Sequence, residues 1–252
     1  MKHLPHSAVP QAAAPMARIA ETLAARYRAA IFDLDGTLTD SLHVWDTLCR
    51  DWLSGRGVSA PDTLERDIAL MTLPQSADYV LGRFGAGLWR AADREPLSPA
   101  RVLAEWQDMA RDRYAHGVPL KAGAAALLRA LHERGVRLAV ATSCFPAACE
   151  AVLARHGIQG YFSAVCYTGE ASRDKTFPDV YLAAARLLGV PPADCVVFED
   201  LYAALSGVRA AGMGVAAVYD ESGKACWDEF KTRADFALGF AERPSSLREL
   251  GI

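Results

Sequence analysis

Two acidic pairs in this chain each follow a short apolar run. Phe32-Asp33-Leu34-Asp35-Gly36-Thr37 sets two carboxylates two residues apart, and Glu199-Asp200 follows Cys195 to Phe198 in the same way. Alternate residues leaving a strand can face one cavity. Carboxylates that share a cavity repel one another unless a cation lies between them. Two such pairs at neighbouring strand ends make a hard-cation site with oxygen ligands, for which Mg²⁺ is the ordinary occupant. Thr142 and Ser143 close a third apolar run, Val136 to Ala141. Their hydroxyls and the free N–H groups of a following helix would suit an anion, although an ordinary helix N-cap reads the same way. Lys175 is conspicuous in a chain that prefers arginine: of 27 basic residues, the lysines are Lys2, Lys121, Lys175, Lys224 and Lys231 alone. A compact ammonium can approach a phosphoryl oxygen and a carboxylate at once, without the bulk of a guanidinium.

The elements that must carry these groups are legible as apolar runs ending in polar residues. Tyr27 to Leu34, Val136 to Thr142, Ser163 to Tyr167, Asp194 to Phe198 and Gly214 to Tyr219 predict buried strands. Helical patterns separate the later ones: Ala122 to Arg134, Pro146 to His156, Pro178 to Leu188 and Leu201 to Ala211, most with a glycine at or just past the end. Strand and helix in alternation predict an α/β fold, a doubly wound Rossmann-like parallel sheet with functional groups at the C-terminal strand ends. Leu42 to Val118 breaks the rhythm. Helix patterns lie around Val44 to Leu53, Thr63 to Leu73, Ser76 to Phe84 and Pro99 to Tyr114, cut apart by glycines and prolines. An insertion directly after the first acidic loop suits a lid. The expected division is an N-terminal extension over 1–26, a core of 27–41 with 119–252, and a helical cap over 42–118.

Composition removes other classes of function. With 252 residues, 52% apolar and 23% charged, the chain has ample material for a core. A formal charge of −3 and the lack of a Lys/Arg cluster argue against nucleic acid as a partner. The six cysteines (Cys49, Cys144, Cys149, Cys166, Cys195, Cys226) show no metal spacing and are expected to be reduced thiols. The first 28 residues lack the continuous apolar stretch of a secretory signal, and no 18-residue apolar run occurs. The expectation is a cytoplasmic protein, a monomer or weak dimer, without a membrane partner.

Taken together, Asp33-Leu34-Asp35-Gly36-Thr37, the strand ending at Thr142, Lys175 before Phe177-Pro178-Asp179, and Phe198-Glu199-Asp200 resemble the four ordered motifs of the haloacid dehalogenase-like hydrolases. The helical insertion resembles the cap of the β-phosphoglucomutase-like phosphatase branch of that superfamily. The resemblance runs from about Tyr27 to the C-terminus. It implies a phosphoric monoester hydrolase acting on a small phosphorylated substrate through an aspartyl phosphate. By that resemblance Asp33 is the nucleophile. Asp35 is the acid that protonates the leaving group and then activates water. Asp33, Asp200 and the Asp35 carbonyl hold Mg²⁺, with Glu199 supporting it through water. Thr142, with Ser143 beside it, holds phosphoryl oxygens, and Lys175 offsets charge between Asp33 and phosphate.

The chain also departs from the pattern. The branch's mutases carry a histidine shortly after the second aspartate and a Gly/Ser/Arg cap loop that grips the sugar phosphate. Here the matching positions are near Trp45 and in Met71-Thr72-Leu73-Pro74-Gln75, without Arg or Lys. The expectation is therefore a phosphatase, with a β-phosphoglucomutase-type mutase as the alternative. Leu201-Tyr202-Ala203-Ala204 replaces the commoner Ser-x-x-Gly. A phosphonatase would need a cap lysine, and 41–120 has none; a dehalogenase would lack Asp35 and Asp200. Trp45, Tyr79, Arg83 and Trp89 are the cap side chains expected either to meet the substrate or to form the cap's own core.

Overall fold

The computed structural model describes residues 10–68, 71, 73–88, 93, 96–169, 173–239 and 248–249. In chain order the first elements are α1 (Pro10–Ala24), β1 (Ala29–Phe32), α2 (Leu42–Gly55), α3 (Leu64–Ile68), α4 (Leu73–Phe84) and α5 (Pro99–His116). Then come α6 (Ala124–Glu133), β2 (Arg137–Thr142), α7 (Pro146–Arg155), β3 (Phe162–Tyr167), α8 (Asp179–Leu188) and β4 (Cys195–Glu199). The last are α9 (Leu205–Ala210), β5 (Gly214–Val218), α10 (Trp227–Arg233), β6 (Phe236–Leu238) and β7 (Arg248–Glu249). The strands pair in the order β3-β2-β1-β4-β5-β6-β7. All pairs from β3 to β6 are parallel, and β7 adds an antiparallel edge. The doubly wound α/β architecture is therefore present.

The apolar runs make strands because both faces of the sheet are covered. Ala29 and Ile31 of β1, Val197 of β4 and Val215 of β5 share one core cluster with Val180, Ala184 and Leu188 of α8 and Val208 of α9. Ala30 and Phe32 alternate with them and are equally buried. Phe32 stacks on Phe198 of the neighbouring strand, with ring centroids 4.3 Å apart. The chain steps outward from β1 to β2 and β3, then returns to lay β4 on the other side of β1. At that reversal the connections leave in opposite directions and a crevice opens at the carboxyl ends of β1 and β4.

The described residues fall into two compact units, those within 1–40, 119–144 and 153–252, and those within 41–118 and 145–152. In the first unit α1 packs along α6 and buries Met16, Ile19, Ala20 and Leu23, whose three- and four-residue spacing makes one helix face. The second unit has its own core of Leu48, Trp52, Leu53, Leu64, Val80, Val102 and Trp106. Phe145 belongs there, its ring 5.7 Å from that of Trp45. Arg56 is almost fully buried in this unit and is neutralised by Asp93 at 3.0 Å and Glu105 at 2.6 Å.

The elements differ from the sequence expectation in their ends. Of the expected Thr63 to Leu73 helix the described residues show α3, while α4 starts at Leu73 and carries Pro74 in its first turn, where a missing N–H costs nothing. The Leu201 to Ala211 pattern opens as a tight 3₁₀ turn over Tyr202–Ala204 before α9. No helix among the described residues is long and apolar enough to cross a membrane.

Candidate active site

The register of β1 decides where the acidic pairs emerge. Phe32 lies opposite Phe198 of β4 and opposite Val140 of β2. The next amide, Asp33 N–H, donates to the Phe198 carbonyl at 3.0 Å, so Asp33 and Glu199 leave the sheet side by side. Beyond Asp33 the chain turns at once. The amides of Leu38 and Thr39 and the Thr39 hydroxyl all donate to the Leu34 carbonyl, each at 2.9 Å. Gly36 takes φ +78° in this turn, and a β-carbon there would stand 2.3 Å from Asp200 Oδ2. Both facts demand glycine. The turn also aims Thr37 at the second acidic pair, its hydroxyl donating to Asp200 Oδ1 at 2.7 Å.

Lys175 reaches the same place from a different loop. Its ammonium forms ion pairs with Asp33 Oδ1 and, at 2.8 Å, with Glu199 Oε1. The loop is held by its own hydrogen bonds: Asp174 Oδ1 accepts from the Thr176 amide at 2.9 Å, and the Ser206 hydroxyl donates to the Thr176 carbonyl at 3.0 Å. Gly207 permits this approach, because a β-carbon there would lie 2.2 Å from the Lys175 carbonyl oxygen. Tyr181 of α8 completes the group, its hydroxyl donating to Glu199 Oε1 at 2.8 Å.

Asp33, Glu199 and Asp200 each offer a carboxylate oxygen, and these atoms lie within 4.8 Å of one another. Three carboxylates against one ammonium leave a twofold negative charge when all are ionised. The protonation equilibria register that excess. Burial raises the Asp200 pKa well above the usual carboxylate range, and the charges of Asp33 and Glu199 raise it further. Burial also raises Glu199, against the pull of Lys175. Desolvation would lower the Lys175 pKa, but Asp33 and Glu199 outweigh it and hold the ammonium above the ordinary lysine range. Glu199 Oε2 is buried and has no hydrogen-bond partner. A buried carboxylate oxygen without a donor is costly. An orphan acceptor, hard oxygen donors and a charge deficit of two all fit a divalent cation such as Mg²⁺.

The other expected residues stand nearby on β2 and the first turn. Thr142 is buried and its hydroxyl accepts from the Cys144 amide at 3.0 Å, while Ser143 is exposed and accepts from the Thr168 hydroxyl at 3.1 Å. Neither makes a described hydrogen bond to the carboxylates. Asp35 is half-buried, and its backbone bridges to Thr39. Sequence reasoning gave no role to Thr37, Tyr181 or the Ser206-Gly207 pair. A tyrosine on the apolar face of α8 was a usable signal, because a buried phenol needs a hydrogen-bond partner.

Of the cap residues, Trp45 lines a cavity of about 280 Å³ within the second unit, together with Cys49, Ile68, Met71, Ser76 and Trp106. Tyr79 donates to Asp67 Oδ2 at 3.1 Å, and the Arg83 guanidinium lies 5.9 Å from the Tyr79 ring centroid. Trp89 and Thr72 lie outside the described residues.

Comparison with known proteins extends these observations. The pattern of a family described as haloacid dehalogenase-like hydrolase matches residues 27–212. Fructose-1-phosphate phosphatase YqaB of Escherichia coli is 31% identical over 195 residues, which cover 75% of this chain and 94% of that protein. Hexitol phosphatase A of the same organism is 32% identical over 198 residues, 77% of this chain and 83% of that protein. Among solved structures, CbbY from Rhodobacter sphaeroides, a mutant in complex with xylulose-(1,5)-bisphosphate, aligns with a TM-score of 0.70 at 24% identity, covering 86% of this chain and 96% of that one. β-Phosphoglucomutase from Clostridium difficile aligns with a TM-score of 0.63 at 20% identity, covering 90% and 94%. These structures share the fold.

Proposed function

The chain belongs to the haloacid dehalogenase-like hydrolases and is a phosphatase of that kind, and from this premise we propose a Mg²⁺-dependent hydrolysis of small sugar or sugar-alcohol phosphates through an aspartyl phosphate on Asp33. The observation that carries the reading is the grouping of Asp33, Glu199 and Asp200 around Lys175 where β1 and β4 end. The names of the two Escherichia coli relatives support the substrate class. We read the enzyme as cytoplasmic.

Asp33 attacks phosphorus in this reading, which the ion pair between Lys175 and its Oδ1 supports by holding the carboxylate in one position. As the new P–O bond forms, the ester P–O bond breaks and the departing alkoxide takes a proton from Asp35. Water then gives a proton to the ionised Asp35 and attacks the same phosphorus, releasing phosphate and restoring Asp33. Thr142 and Ser143 bind phosphoryl oxygens at the end of β2. Asp33, Asp200 and the Asp35 carbonyl would hold Mg²⁺, with Glu199 behind them, and the bound cation would supply charge against the phosphoryl oxygens. Lys175 pairs with Asp33 and prevents it from turning away.

A phosphate-release screen over sugar phosphates, sugar-alcohol phosphates, nucleotides and phosphorylated acids tests this reading, each arm run with Mg²⁺ and with chelator. Free sugar plus phosphate from a hexose 1-phosphate, lost in chelator, is the expected result. Conversion to the 6-phosphate, or undiminished turnover in chelator, would overturn it.

A further inference from the structure

Glu199 receives two hydrogen bonds on one oxygen and none on the other. Lys175 and Tyr181 both donate to Oε1, each at 2.8 Å, while Oε2 is buried without a partner. Glu199 and Tyr181 are both completely buried. Two donors converging on one oxygen fix the plane of the carboxylate as well as its position. Lys175 alone would not do this. Its ammonium is shared with Asp33, and a single point charge lets a carboxylate swing and exchange its oxygens.

Tyr181 therefore carries more than packing. Its helix face is otherwise apolar, with Ala184, Ala185 and Leu188 in the same core cluster. A phenylalanine would fill the same volume without having to satisfy a buried hydroxyl. Resting on the cation reading above, we propose that Tyr181 is a positioning residue for the divalent cation: by pinning Glu199 through Oε1 it commits Oε2 to the cation or to its bound water. Partners behind a ligand that fix its orientation matter to a metal nearly as much as the ligand does.

The test is calorimetric titration of the chelator-treated full chain with MgCl₂. Tyr181→Phe should weaken Mg²⁺ binding about tenfold relative to the parent. Made in a Glu199→Gln background, the same change should move the Mg²⁺ Kd by less than about twofold, because the oriented carboxylate is already gone. Were Tyr181→Phe not to fold, Tyr181→Leu would serve in the same cycle. An unchanged Kd in Tyr181→Phe, or an equal loss in both backgrounds, would overturn the proposal while leaving the cation reading standing. A parent protein that binds no Mg²⁺ at millimolar concentration would overturn both.

Discussion

Gly36→Ala separates the two demands that the first turn makes on its glycine. The left-handed φ of +78° costs an L-residue about 1–2 kcal/mol wherever it occurs. Gly135 supplies the control, with φ +77° in the same compact unit and no neighbouring atom within 4 Å of the point an alanine methyl would occupy. At Gly36 the methyl would sit 2.3 Å from Asp200 Oδ2, against the 3.4 Å at which ordinary contact begins. The carboxylate must therefore retreat by about 1 Å, which breaks the 2.7 Å bond from Thr37, a charged hydrogen bond worth about 1.5–3 kcal/mol. Gly135→Ala should lose about 1–2 kcal/mol in urea unfolding, and Gly36→Ala a further 1.5–3 kcal/mol or so. Mg²⁺ tolerates little distortion of its octahedron, so Gly36→Ala should also weaken Mg²⁺ binding by about tenfold or more while Gly135→Ala leaves it unchanged. Equal destabilisation by the two substitutions, with parent Mg²⁺ affinity in both, would refute the account of this turn.

Three further outcomes follow from the same geometry. Gly207→Ala places a methyl 2.2 Å from the Lys175 carbonyl, a backbone atom that cannot rotate aside; a shift of about 1 Å in that loop should lower kcat about 100-fold in steady-state assays, and parent kcat would contradict it. Glu199 and Asp200 have raised pKa values in the folded, metal-free protein, so folding favours their protonated forms. Stability in chelator should accordingly be greatest below about pH 4 for these groups and decline as pH rises through the carboxylate range toward the raised values, with saturating Mg²⁺ removing the decline in thermal scans. Asp35→Asn should cripple alkyl phosphates far more than p-nitrophenyl phosphate, whose leaving group needs no proton, and equal losses on both would show that Asp35 does not act as the acid.

The strands that matter most were legible because burial on both faces makes them continuous apolar runs, and each ends where its acidic or hydroxyl residues begin. β6 and α10 were not, since three and seven residues hold too little of a period to separate strand or helix from loop. α1 was missed for another reason: its alanines and a proline mask a face that shows only when Met16, Ile19 and Leu23 are seen against α6. Within the site, the types of Asp33, Lys175, Glu199 and Asp200 pointed to one charged cluster, and the structure brings the four together. Tyr181, Ser206 and Gly207 did not point there, because their contributions are contacts with other elements 18 to 32 positions away in the chain, which local spacing does not encode.

The proposed mechanism turns on a covalent bond between Asp33 and the transferred phosphoryl group. Rapid acid quench of the enzyme during turnover of a ³²P-labelled sugar phosphate, followed by peptide mapping of the protein, tests it most directly. Acid-stable label is expected on the peptide containing Asp33, released by hydroxylamine and absent from Asp33→Asn, which should remain folded but inactive. Turnover with no labelled protein at any quench time, or Asp33→Asn releasing phosphate within a few-fold of the parent, would contradict it.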